Sequence, residues 1–123
     1  MENFKYVNRY GYSDVEPFEV VERKSEKRVV VRSMKSVRSA DWKPEMVPGG
    51  FSAHCTNNRQ QKWDITSDEE NGVLVTITKR KDGKWYEVGD NYVEFGFGTF
   101  ERDPDTGERV AVDKPRKFYD YNF

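Results

Sequence analysis

Chain-reversing residues recur at roughly 8–12-residue intervals along this sequence, and the runs between them alternate apolar with polar side chains. That rhythm excludes long helices, because no window of about ten residues carries a 3.6-residue apolar period bounded by caps. A two-residue period buries one face of each short run, and such faces cover one another in an antiparallel barrel or sandwich. Val73, Val75 and Ile77 alternate with Leu74, Thr76 and Thr78. Asp82-Gly83 then predicts a two-residue hairpin turn with both residues at positive φ, leading into a strand over 84–88. Gly89-Asp90-Asn91 turns into 92–97, where Val93, Phe95 and Phe97 share a face. A further turn over 103–107 precedes a strand over 108–112.

The first half repeats the pattern with more charge. Val-rich runs over 16–23 and 28–37 flank Lys24-Ser25-Glu26-Lys27, a hairpin that suits an SH3-like small barrel. A strand over 60–66 places Trp63 and Ile65 on one face. Between them, residues 39–59 form a long loop containing Trp42, Pro44, Pro48, Phe51 and the stretch from His54 to Arg59. Loops of that length in compact domains are usually functional or covered by packing, so this is where a site, if the protein has one, is expected. The last six residues hold four aromatics, Phe118, Tyr119, Tyr121 and Phe123. Such a tail needs packing and reads either as the last strand of the sheet or as a docking segment. The expectation is therefore one all-β domain over 1–123, a mostly antiparallel barrel or sandwich.

Composition bounds the partners. Aromatics supply 15% of the 123 residues and charges 35%, which suits a small core built from large rings. Net charge is −1, so no global field draws the chain to nucleic acid or membrane, yet residues 1–43 carry +3 and the remainder −4. Cys55 is the only cysteine, the longest aliphatic run is Val29-Val30-Val31, and no apolar segment follows Met1. These features predict a cytoplasmic protein without a disulfide, signal peptide or membrane span.

The order of motifs resembles a family of small, functionally uncharacterised bacteriophage and prophage proteins. The resemblance rests on Tyr12-Ser13-Asp14, Glu19-Val20-Val21, the Lys35-x-x-Arg38-x-x-Asp41 stretch and Gln61-Lys62-Trp63. It continues through Arg80-Lys81-Asp82-Gly83-Lys84-Trp85 and ends on Phe118-Tyr119-Asp120-Tyr121-Asn122-Phe123. Extra residues around 43–58 and 98–113 depart from the pattern. The resemblance implies a viral setting, in the cytoplasm of an infected or lysogenic host, and no particular reaction.

Catalytic chemistry finds no support in the residues. His54 and Cys55 are the only members of their types and point to opposite faces of an extended segment, short of the three or four ligands a metal needs. Ser52 and His54 lack a nucleophile elbow or oxyanion hole. Asp103-x-Asp105-x-Gly107 misplaces the glycine and final glutamate of a calcium loop. Gly96-Phe97-Gly98 is too short for a dinucleotide fingerprint and reads as a bulge or barrel corner. Asp68-Glu69-Glu70 reads as a solvated turn. No enzyme activity and no cofactor are expected.

Binding remains. One reading is a phage accessory protein that inhibits a host defence or regulatory protein, with Arg116, Tyr119 and Tyr121 of the tail adding a strand to a partner or to a second copy as a homodimer. The alternative is a nucleotide-sequestering or nucleic-acid-binding module. Its basic first hairpin, with Lys35 and Arg38 at the exit, would track phosphates. Asn57, Asn58 and Arg59, with His54, would orient a ligand beside Trp42, Phe51 and Trp63. The competing reading is that Asn57 and Asn58 serve only the backbone of their own loop.

Overall fold

The computed structural model describes residues 3–49 and 52–121. Phe51, expected to wall a ligand, and Asn122 and Phe123 of the tail lie outside the described residues. Among these residues the strands run in chain order β1 (Tyr6–Tyr10), β2 (Val15–Ser25), β3 (Arg28–Ser33), β4 (Lys35–Arg38), β5 (Met46–Gly49) and β6 (Ser52–Cys55). After a 3-10 turn at Asn58–Gln60 come β7 (Trp63–Thr66), β8 (Leu74–Lys79), β9 (Trp85–Glu87), β10 (Glu94–Phe97), β11 (Thr99–Arg102) and β12 (Arg109–Val112). No helix among the described residues is long and apolar enough to cross a membrane.

Of the barrel and the sandwich, the barrel forms. Six strands close in the order β1-β10-β9-β8-β3-β2, all antiparallel, and each neighbours the next barrel strand along the chain. The meander shuts where β1 meets β10, with Val7 opposite Phe97 and Arg9 opposite Phe95. Alternation sends Val7, Phe18, Val29, Val31, Val75, Ile77 and Phe95 inward. Phe18 and Phe95 meet edge-to-face at 5.3 Å, and Val20, Trp85 and Phe97 pack against this core at one end. Full burial of one such side chain stabilises the fold by about 1.5–3 kcal/mol.

Three local expectations are corrected. The single strand expected over 28–37 is two: at Met34 the backbone N–H donates to Pro17 O at 3.1 Å, and Lys35–Arg38 leaves the barrel to pair with Trp63–Thr66. The Asp82-Gly83 turn is not the two-residue type, since no described residue other than glycine has positive φ. Gly83 alone does, at +83°, with its N–H donating to Arg80 O and Arg80 N–H donating to Lys84 O. That is a three-residue hairpin loop ending in a left-handed bulge glycine.

The tail is not a strand either. It makes one isolated bridge, Val15 with Phe118, and the N–H groups of three of the residues that follow donate to side chains. Tyr119 N–H donates to Gln61 Oε1 (3.0 Å), Asp120 N–H to Asp14 Oδ1 (2.8 Å) and Tyr121 N–H to Asn58 Oδ1 (3.3 Å). The tail is thus a strap across the end of the barrel rather than an added strand.

The strap is anchored by Asn8, a fully buried polar side chain on the outward face of β1. Its Nδ2 donates to Gly98 O (2.7 Å) and Lys114 O (3.1 Å), and its Oδ1 accepts from Arg116 N–H (2.7 Å). Gly98, at φ +67°, is the corner where the chain leaves β10 for the β11–β12 hairpin, as the Gly-Phe-Gly run suggested. A Cβ there would run into the Val112 backbone oxygen and lie 2.7 Å from the Phe4 ring, so the site excludes any side chain.

Candidate functional site

The barrel is open at the end where its strands have unequal lengths. β1 stops at Tyr6, paired with Glu19, while β2 runs on to Ser25. β9 pairs with β10 only at Glu94 and Phe95, so Gly96 and Phe97 project past it. The mismatch leaves a cleft of about 790 Å³, within the roughly 300–1,000 Å³ range of small-molecule pockets. Its apolar lining is Trp85, Phe95 and Phe97, with Trp85 edge-on to Phe97 at 5.1 Å, and Phe100 of β11 at the rim, 52% exposed. Arg23 and Lys27 come from the β2–β3 side, Lys79 and Lys84 from the β8–β9 side, against the two carboxylates Glu26 and Glu94. Lys84 and Glu94 approach only to 3.8 Å.

Arg23 enters this mouth because β2 is bulged twice. Val20 faces Val31, but Glu22 faces Val30, Arg23 faces Val29 and Ser25 faces Arg28, leaving Val21 and Lys24 as the extra residues. Each extra residue inverts the alternation, so Arg23, not Glu22 or Lys24, stands opposite the buried Val29. Its guanidinium lies 5.5 Å from the Phe97 ring centroid and donates to Phe4 O. A guanidinium carries five N–H donors, more than that one carbonyl takes up. A cation on an aromatic face beside open space is a ready anion contact.

The residues expected to form the site fall into separate places. Lys35 and Arg38 are exposed on β4, with Arg38 opposite Trp63. Trp63 is half-buried, donates from Nε1 to Gln61 Oε1 at 2.9 Å, and carries Lys117 Nζ at 5.7 Å from its ring. His54 and Arg59 are exposed. Asn57 accepts from Glu45 N–H (2.8 Å) and donates to Lys43 O (2.7 Å), so it holds its own loop together. Asn58 donates to Asp120 Oδ1 (3.1 Å) and accepts from Gln61 Nε2 (2.8 Å) as well as from the strap. Trp42 is 7% exposed and packs on Tyr121 at 5.7 Å, with Nε1 buried and unpartnered. Tyr119, 48% exposed, sits edge-on to Tyr121 at 4.8 Å. Arg116 is exposed, its backbone held by Asn8.

The structure therefore joins the 42–63 segment to the tail, through Asn58 and Gln61, but parts both from the basic hairpin tip. Arg28 and Ser33 stand at opposite ends of β3, about 17 Å apart at strand rise. Sequence reasoning named the hairpin but missed Trp85, Phe97 and Phe100 as its companions. The available signal was cations interrupting an apolar run just where a strand outlasts its neighbour.

Among the described residues, one titratable group is clearly perturbed. Burial raises the Tyr10 phenol above its ordinary value, partly opposed by the nearby Arg116 charge and a hydrogen bond with Thr99. The Tyr10 ring covers Gly96, where a Cβ would stand 3.0 Å from Tyr10 Cε2. Among the described residues, no group of three or more His, Cys, Asp and Glu is placed to hold a metal ion. No protein-family model, curated protein or solved structure matches this chain.

Proposed function

We propose that this protein is a non-catalytic binding module whose barrel mouth takes a nucleotide-class ligand, a planar base carrying phosphate. The cleft carries the reading: an aromatic lining to stack a base, with cations along its rim for the phosphate. Base–aromatic stacking contributes roughly 1–3 kcal/mol, and charge-assisted contacts to phosphate add to it. If the resemblance to phage proteins holds, the module acts by sequestration in the host cytoplasm. A thermal-shift panel of mono-, di- and cyclic nucleotides and short single strands tests this. Ligand at 100 times its Kd stabilises by about 2.7 kcal/mol, and the shift should disappear in Lys84→Glu. No response to any member of the panel would refute it.

A second reading, inhibition of a host protein, is favoured by one observation. The strap presents the half-exposed Tyr119 on Tyr121, with exposed Arg59 and Arg116 in the same loop-and-tail region. Tyr and Arg are enriched in the cores of protein interfaces. Partner capture by the wild type but not by Tyr119→Ala, at unchanged melting temperature, would support it. Equal capture by both would remove it.

A further inference from the structure

Resting on the nucleotide-class reading, we propose that the barrel mouth binds single-stranded nucleic acid, with a base stacked on the exposed Phe100 ring and the backbone phosphates along the cationic rim. The cleft is an open groove whose aromatic lining continues past the core to Phe100, on a strand outside the barrel. Phe100 is a large ring left 52% exposed, with the Arg109 guanidinium 4.6 Å from its centroid. That is a stacking platform already lined with charge.

The cations argue for a polymer. They follow the rim from Arg23 on β2, through Lys27 and Lys79, whose backbones bond at 2.9 Å, to Lys84 in the β8–β9 turn. At about 4.8 Å per strand Arg23 and Lys84 are too far apart for one phosphate group, whereas a backbone crossing the mouth meets each in turn. Arg23 is held over Phe97 by two bulges, a register cost that makes sense where a cation must stand beside a stacked base. A duplex hides the faces of its bases, so stacking on these rings requires unpaired nucleotides.

Fluorescence anisotropy of a labelled oligothymidylate 12-mer tests the idea, with thymidine monophosphate and the duplex 12-mer as competitors. The single strand should bind at least about 100-fold more tightly than the mononucleotide and outcompete the duplex. The logarithm of its affinity should fall with the logarithm of salt at a slope of about −3, given roughly −0.7 for the phosphate contact of each of the four cations. Lys84→Ala should reduce that slope by about 0.7. Phe100→Ala, at an exposed position, should weaken binding about tenfold while leaving the melting temperature unchanged. A mononucleotide that binds as well as the 12-mer would overturn the polymer proposal and leave the nucleotide reading standing. Equal binding of the duplex, or a Phe100→Ala protein of wild-type affinity, would also overturn it. Absence of binding by every nucleotide and strand would remove both.

Discussion

Replacing Asn8 with alanine should cost about 3–4 kcal/mol, a large part of the roughly 5–15 kcal/mol that holds a domain of this size together. The amide makes three hydrogen bonds, to Gly98 O at 2.7 Å, to Lys114 O at 3.1 Å and from Arg116 N–H at 2.7 Å. Lys114 and Arg116 are exposed residues whose backbone groups regain water, so their bonds are worth about 0.5–1.5 kcal/mol each. Gly98 is buried, so its carbonyl stays unsatisfied, at about 1–3 kcal/mol. Urea unfolding of the full chain should show a lowered midpoint at an unchanged slope. Hydrogen exchange locates the effect: amides of 116–121 should lose protection well before those of β3 and β8. Asn8→Asp, which turns a donor facing two carbonyls into an acceptor, should be at least as damaging. A loss under 1 kcal/mol, or tail amides as protected as in the wild type, would refute the anchoring role.

Gly98→Ala should destabilise by more than about 3 kcal/mol or prevent folding, since it combines positive φ with a clash against the Phe4 ring; a soluble variant melting within a few degrees of wild type would contradict the corner geometry. Trp42→Phe should change stability by less than about 1 kcal/mol, because removing a buried unpartnered N–H offsets the lost volume. A cost above 2 kcal/mol in urea titration would mean that the indole N–H is satisfied. Burial favours the neutral Tyr10 phenol, so its contribution is complete below the unfolded value of about 10 and is lost as pH rises through the folded value. Tyr10→Phe should flatten the alkaline limb of a stability–pH curve, and an unaltered limb would exclude Tyr10 as its source.

The barrel was legible because its inward residues alternate strictly, as in Val75 and Ile77 or Phe95 and Phe97, and a two-residue period leaves little choice of face. What escaped was set by partners rather than by period. Residues 28–37 look continuous, yet Pro17 O captures the Met34 N–H and sends the next four residues to another sheet. Asp82-Gly83 carries a hairpin signal in either loop length, and only the Arg80–Lys84 bonds decide between them. The alternating rings of the tail resemble a strand, but Gln61, Asp14 and Asn58 take its hydrogen bonds. The segment 39–59 reads as one long loop but carries the β5–β6 hairpin, and Asn57 proves to brace the chain around it. The cleft was hidden for a different reason. Its parts lie up to 97 positions apart, from Asn3 to Phe100, and the two bulges that aim Arg23 leave no mark in a run reading Glu-Val-Val-Glu-Arg-Lys-Ser.

Closure of the ring by β1 and β10 also sets an order of events as the chain emerges during synthesis. Val7 waits for Phe97, ninety positions later, and the Asn8 amide waits longer still for residues 114 and 116. Until then β1 can pair with β2 but keeps its other edge unsatisfied, and the nascent sheet is a ribbon with two sticky margins. Such distant pairing slows folding to the millisecond-to-second range typical of β-barrels. In that interval neighbouring chains compete for the edge that β10 eventually fills. Overexpressed at low temperature or with a chaperone at hand, this protein should give a far better soluble yield than its small size suggests it needs.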